Sequence, residues 1–178
     1  MSSTQPTNNK REPSDYDVLI VGAGFSGLYL LHRLRGSGFR VRVVDRASDV
    51  GGTWYWNRYP GARCDVESMQ YAYSFCPELE QEWVWTEKYA TQPEILSYAR
   101  HVAERFELRR DIELNTTITS ATFDESRHRW LAETSDGRII SADFCIMATG
   151  CLSTTNTPKF EGQDSFAGPV YHLSLIHI

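Results

Sequence analysis

Asp17-Val-Leu-Ile-Val21-Gly22-Ala-Gly24-Phe25-Ser-Gly27 is the stretch that decides the fold. A short, unbroken apolar run that stops at a glycine is the pattern of a strand buried on both faces. Ser26–Arg35 then reads as a helix, with Leu28, Leu31 and Leu34 facing inward and Gly36 and Gly38 as its stop. Arg40–Asp45 is a second strand. Strand, glycine turn, helix and strand follow one another as in a right-handed βαβ crossover, which implies an α/β fold built on a parallel sheet.

The glycines occupy the positions of Gly-x-Gly-x-x-Gly. Gly22 allows the sharp turn, Gly24 lets backbone N–H groups approach a pyrophosphate, and Gly27 permits close helix–strand contact. The positive end of the helix then stabilises the phosphate charge. Glycines at these spacings also occur in ordinary turns. Here the strand before them, the helix after them and Asp45 at the end of the second strand point to a dinucleotide. An acidic side chain at Asp45 can accept hydrogen bonds from ribose hydroxyls. The fingerprint does not separate FAD from NAD.

Further along, Pro93–Phe106 reads as a helix, with Ile95, Ala99, Val102 and Phe106 at helical spacing. Short strands are expected at Glu113–Thr119, Ala121–Asp124, Trp130–Thr134 and Arg138–Ser141, the last two joined by an Asp136-Gly137 turn. They would form a small antiparallel insertion, at about 113–141, which returns the chain to the parallel sheet through an apolar strand at Asp143–Ala148.

The 178 residues are 41% hydrophobic and 23% charged, as in a globular protein with a real core. A net charge of -5, without a basic block, argues against nucleic acid or an anionic membrane as partner. The apolar runs are strand-sized, too short to span a bilayer. Met1–Ser14 is polar without an apolar signal core, which predicts a disordered leader at 1–14 and a cytoplasmic protein. Cys64, Cys76, Cys145 and Cys151 lack Cys-x-x-Cys spacing, so reduced thiols and no metal site are expected.

Gly51–Ser68 carries two tryptophans, two arginines and Asp65 around a Pro60-Gly61 turn. Connectors are normally small and polar, so a loop this aromatic and charged is expected to touch a ligand. Packing and cofactor contact are equally open for Trp56. Arg58 and Arg63 read either as solvated charges or as contacts, with Arg63, beside Asp65, the better contact candidate. Glu67 reads equally as a second carboxylate partner, as a cap or as a solvated surface charge. Cys64 has no His arrangement beside it and reads as packing.

The run Gly51-Gly-Thr-Trp-Tyr-Trp-Asn-Arg-Tyr-Pro-Gly-Ala-Arg-Cys-Asp65 resembles the type I Baeyer–Villiger monooxygenases, in particular the phenylacetone/steroid-monooxygenase-like branch. Tyr73-Ser-Phe, Trp83 and Tyr89–Leu96 add to the likeness, which extends over Asp15–His172. Cys145-Ile-Met-Ala148-Thr149-Gly150 is similar to the second FAD signature of two-dinucleotide flavoproteins. The resemblance implies a Rossmann-like FAD-binding domain at 15–172, incomplete at its C-terminus, within an NADPH- and O2-dependent enzyme. Such enzymes convert ketones to esters or lactones through a flavin peroxide. It implies FAD contacts at Gly52, Thr53, Trp54, Tyr55, Arg63, Asp65, Tyr71, Ile118, Ala148, Thr149 and Gly150, alongside Gly22, Gly24, Phe25, Gly27 and Asp45 of the cradle. Asp65 would take a catalytic part by orienting an arginine that this chain does not contain. Two other readings stand beside it: a flavin monooxygenase that hydroxylates nitrogen or sulfur, and a non-catalytic flavin- or nucleotide-binding module.

The family's fingerprint Phe-x-Gly-x-x-x-His-x-x-x-Trp begins at Phe166-Ala-Gly168 and reaches His172, but Ile176 stands where the tryptophan belongs. Leu173–Ile178 matches one reading frame of a common transposase mosaic-end sequencing adapter. The expectation is therefore that 173–178 is adapter read-through, that the NADPH site lies mostly outside the chain, and that the chain alone is inactive.

Overall fold

β1 (Asp15–Val21) runs through the middle of the sheet, and this position accounts for its unbroken apolar sequence. In the computed structural model, which describes residues 15–173, Val18, Leu19 and Ile20 are at most 2% exposed. Val18 and Ile20 pack with Leu28 and Leu31 of α1 (Phe25–Gly36) and with Ala99 and Ala103 of α5 (Gln92–Arg105). Leu19 joins a second cluster on the other face, with Val44, Ala132, Ile140 and Ala142. The leader expected over 1–14, and all but Leu173 of the segment expected over 173–178, lie outside the described residues.

The remaining elements are β2 (Val41–Val44), the short helices α2 (Thr53–Trp56), α3 (Ser68–Tyr71) and α4 (Pro77–Glu82), then β3 (Ile112–Glu113), β4 (Ile118–Asp124), β5 (Arg129–Thr134) and β6 (Ile139–Met147). The sheet order is β3-β2-β1-β6-β5-β4. β3, β2, β1 and β6 are parallel, whereas β5 and β4 continue the sheet antiparallel. This is the Rossmann-like α/β architecture expected from the glycine fingerprint.

Two strand boundaries differ from the sequence pattern. The run expected at Glu113–Thr119 breaks after Glu113, because Asn115 turns through φ +56°. The Asn115 and Thr116 amides there donate to the carbonyls of Ala47 and Asp45, pinning 115–116 to the end of β2. In the other direction, Arg138–Ser141 and Asp143–Ala148 prove to be one strand, β6. Its first residues pair antiparallel with β5, and from Ser141 onward it pairs parallel with β1. Ser141, which interrupts the apolar pattern, is satisfied by Arg129, whose Nε donates to its Oγ at 2.7 Å.

Candidate functional site

The carboxyl ends of β1, β2 and β6 converge on a cavity of about 560 Å³, the place where open parallel sheets bind their ligands. Its floor is the glycine turn. Gly22 sits at φ +113°, and a Cβ there would fall 2.4 Å from the Ala148 carbonyl oxygen. Gly24 and Gly52 meet backbone to backbone: a Cβ on Gly52 would lie 2.8 Å from the Gly24 Cα. α1 starts directly behind this turn, with no side-chain cap and no acidic residue in its first turn. Its first amides are thus left to face an anionic ligand.

Asp45 is 8% exposed and lines the cavity. Its Oδ2 accepts from the Ala23 amide at 2.6 Å and its Oδ1 from the Ala47 amide at 2.8 Å. The carboxylate therefore ties the glycine turn to the loop after β2. Each oxygen keeps a further lone pair for a ribose hydroxyl.

The aromatic loop forms the opposite wall. Trp54 is 8% exposed; its Nε1 donates to the Tyr71 hydroxyl at 2.7 Å, and its carbonyl accepts from Gln92 Nε2 at 2.5 Å. The Tyr71 ring meets Phe25 edge-on, with centroids 5.1 Å apart. Burial pushes the Tyr71 phenol upward; the hydrogen bond from Trp54 opposes this, and nearby Cys64 and Asp65 add to the rise. The phenol stays neutral across the physiological range.

Of the residues singled out from sequence, Gly22, Gly24, Phe25, Asp45, Gly52, Thr53, Trp54, Tyr71, Ile118, Ala148, Thr149 and Gly150 line this cavity together. Gly27 acts from behind: a Cβ there would lie 1.9 Å from the Gly22 carbonyl oxygen. Tyr55, Arg63 and Asp65 do not line it. The Tyr55 hydroxyl shares a 2.8 Å hydrogen bond with Ser48 Oγ. Arg63 is exposed and pairs with Glu87 at 2.5 Å, while its neighbour Cys64 is buried. Asp65 is exposed and reaches the cavity only through its charge on Tyr71.

Several contributors carry no recognisable sequence signal. Thr116 and Thr117 reach the cavity only because the loop after β3 is pinned to β2. Asp49 holds that side of the loop: it accepts from Arg100 Nε at 2.7 Å, from an Arg109 terminal nitrogen at 2.9 Å and from the Val50 amide at 2.8 Å. Burial alone would raise its carboxyl, but the hydrogen bonds from Arg109, the Val50 amide and Arg100 bring it below the usual range. Trp56, open between packing and contact, lines the cavity with the Arg46 guanidinium 4.7 Å above its ring.

Comparison with known proteins agrees with this geometry. Residues 20–79 match the NAD(P)-binding Rossmann-like domain family. A phenazine N-monooxygenase of Lysobacter antibioticus is 46% identical over 90% of this chain and 30% of its own length. A Baeyer–Villiger monooxygenase of Pseudooceanicola batsensis is 46% identical over 94% of the chain and 31% of its own. The structure of an oxidised steroid monooxygenase bound to NADP superposes with a TM-score of 0.81 at 59% identity, covering 90% of this chain and 31% of that one. The chain thus spans about 30% of the length of the relatives it matches. Over the stretch they share, the chain is similar in sequence and fold to the Baeyer–Villiger and related monooxygenases.

Proposed function

We propose that this chain forms the FAD-binding part of an NADPH- and O2-dependent monooxygenase that converts ketones to esters or lactones. The observation that carries the reading is the cavity that the glycine turn, Asp45 and the aromatic loop carrying Trp54 line together. The fit to a dinucleotide is steric as well as chemical. At Gly22 and Gly52 the backbones of the turn, the end of β6 and the aromatic loop come closer than a Cβ would permit, which shapes the cradle, and the uncapped α1 amides open toward it.

When bound, FAD supplies acceptance of reducing equivalents from NADPH and the activation of O2. The chain's own residues bind and shield it. The glycine turn holds the pyrophosphate, and Asp45 accepts from ribose hydroxyls. Trp54, Phe25 and Tyr71 form an apolar wall that excludes water, with Tyr71 kept neutral. Asp65 is a positioning residue in this reading, orienting a cationic side chain supplied from elsewhere in the enzyme. A reducing, cytoplasmic setting belongs to the same reading, supported by four free cysteines.

Flavin fluorescence titration tests the binding half: saturable quenching of FAD is expected, and FAD that elutes free of the chain on gel filtration would refute it. For the chemistry, residues 15–172 can replace the matching region of the Pseudooceanicola batsensis relative. Ester formation with NADPH and O2 is expected; a chimera that holds FAD but makes no ester would sink the ketone reading. The phenazine N-monooxygenase, equally similar at 46% identity, favours a second reading in which oxygen goes to nitrogen.

A further inference from the structure

Arg46 follows Asp45 at the carboxyl end of β2 and lines the cavity, yet the first-site chemistry above makes no use of it. Its guanidinium carbon lies 4.7 Å from the ring centroid of Trp56, an indole contributed by α2. One terminal nitrogen donates to the Ser153 carbonyl, on the segment after β6. Among the described residues its partners are therefore an aromatic face and a neutral carbonyl, with no carboxylate. A second link joins the same two segments: Asn57 Nδ2 donates to the Leu152 carbonyl at 2.8 Å and to the Thr53 carbonyl at 2.9 Å. Arg46 is thus a planar cation held on the cavity wall by Trp56 and Ser153, the rest of its donors uncommitted among the described residues.

The neighbour in sequence tells which half of a dinucleotide lies here. An acidic residue at the end of the second strand addresses the ribose of the adenosine half, so Arg46 stands beside the adenine rather than the flavin. Two ligand chemistries suit a guanidinium at that point, a ribose 2′-phosphate or a purine ring. Asp45 decides between them. Its carboxylate, accepting from two backbone amides, turns acceptor oxygens toward the 2′-position, where a phosphate would offer only acceptors in return. A purine has no such conflict, and a guanidinium stacks well on an aromatic plane.

Resting on the FAD reading above, we propose that Arg46 is a specificity-determining residue for the adenine of the bound dinucleotide. Its guanidinium lies between the Trp56 indole and the purine, while Asp45 beside it rejects a 2′-phosphate. The affinity it adds belongs to the adenylate half of FAD and is absent for FMN.

The test is calorimetric titration of the full chain with FAD, ADP-ribose, 2′-phospho-ADP-ribose and FMN. Arg46 is exposed, so its substitution leaves the core untouched; circular dichroism checks this. Arg46→Ala is expected to weaken FAD and ADP-ribose alike, by roughly tenfold, and to leave FMN unchanged. Arg46→Lys keeps the charge but loses the plane, and should fall between the two. The wild type should prefer ADP-ribose to its 2′-phosphorylated form. Unchanged FAD affinity in Arg46→Ala, an equal loss for FMN, or a preference for the 2′-phosphate overturns the assignment. A wild-type chain that binds neither FAD nor ADP-ribose overturns the dinucleotide reading itself, and the Arg46 assignment with it.

Discussion

Gly27 shows how far one hydrogen atom controls this site. A Cβ there would stand 1.9 Å from the Gly22 carbonyl oxygen, a backbone atom that cannot swing aside. Gly27→Ala must therefore push α1 off the glycine turn. A loss of about 1–3 kcal/mol in urea unfolding is expected, together with loss of FAD quenching. An unchanged midpoint would show that the helix can shift freely. Asp45→Asn separates binding from folding differently. The amide keeps one carbonyl oxygen but sets an NH2 against a backbone N–H, either at Ala23 or at Ala47. A cost of about 1–3 kcal/mol is expected for that unsatisfied buried donor, again read from the urea midpoint.

At the scale of elements, the loop between β2 and α2 is held by charge as well as by the burial of Ala47 and Val50. Asp49 joins it to Arg100 on α5 and to Arg109 just beyond that helix. The folded carboxyl titrates below its ordinary value, so the unfolded chain takes up the proton first as the pH falls. The stabilisation is complete above about pH 4 and is lost as the pH drops through and below that value. Asp49→Asn should lower stability at neutral pH and make the acid limb of the stability–pH curve shallower. Identical acid limbs for the two proteins would show that Asp49 contributes nothing to the pH dependence. α1 is fastened to the same region at its other end, where Arg35 donates to the carbonyls of Phe106 and Glu107 and pairs with Asp111 at 2.9 Å.

For the molecule as a whole, β6 carries an asymmetry. β5 pairs only with Ile139–Ala142, whereas β1 pairs as far as Met147. Beyond Ala142, Phe144 and Met147 are 60% and 61% exposed, although the strand lies inside the sheet order. Residues three apart in a strand point to opposite faces, so the two expose separate apolar spots, each open to a hydrophobic dye. The chain is expected to enhance dye fluorescence, and Phe144→Ser with Met147→Ser should reduce it while β6 stays paired; an undiminished signal would place the dye elsewhere. A ligand that grips the carboxyl ends of three strands should also stabilise all of them. FAD at one hundred times its Kd should add about 2.7 kcal/mol and raise the melting midpoint.

The local chemistry of the sequence determined the βαβ unit, the dinucleotide cradle and the importance of the loop from Gly51. Each rests on short-range constraints: a buried apolar run, glycines where backbones meet, and an acidic residue at a strand end. The structure alone decided that Arg138–Ser141 and Asp143–Ala148 are one strand, since only pairing with β1 on one side and β5 on the other makes Ser141 part of a ladder. It also decided which charged residues of the loop meet the cavity. Arg63 and Asp65 stood out by spacing, yet Arg63 is drawn to Glu87 and Asp65 is exposed. Arg46, Asp49 and Thr116 gave no signal, because their roles depend on partners 50 to 110 residues away. Such contacts are set by how the loops fold back onto the strand ends, and no local pattern encodes that.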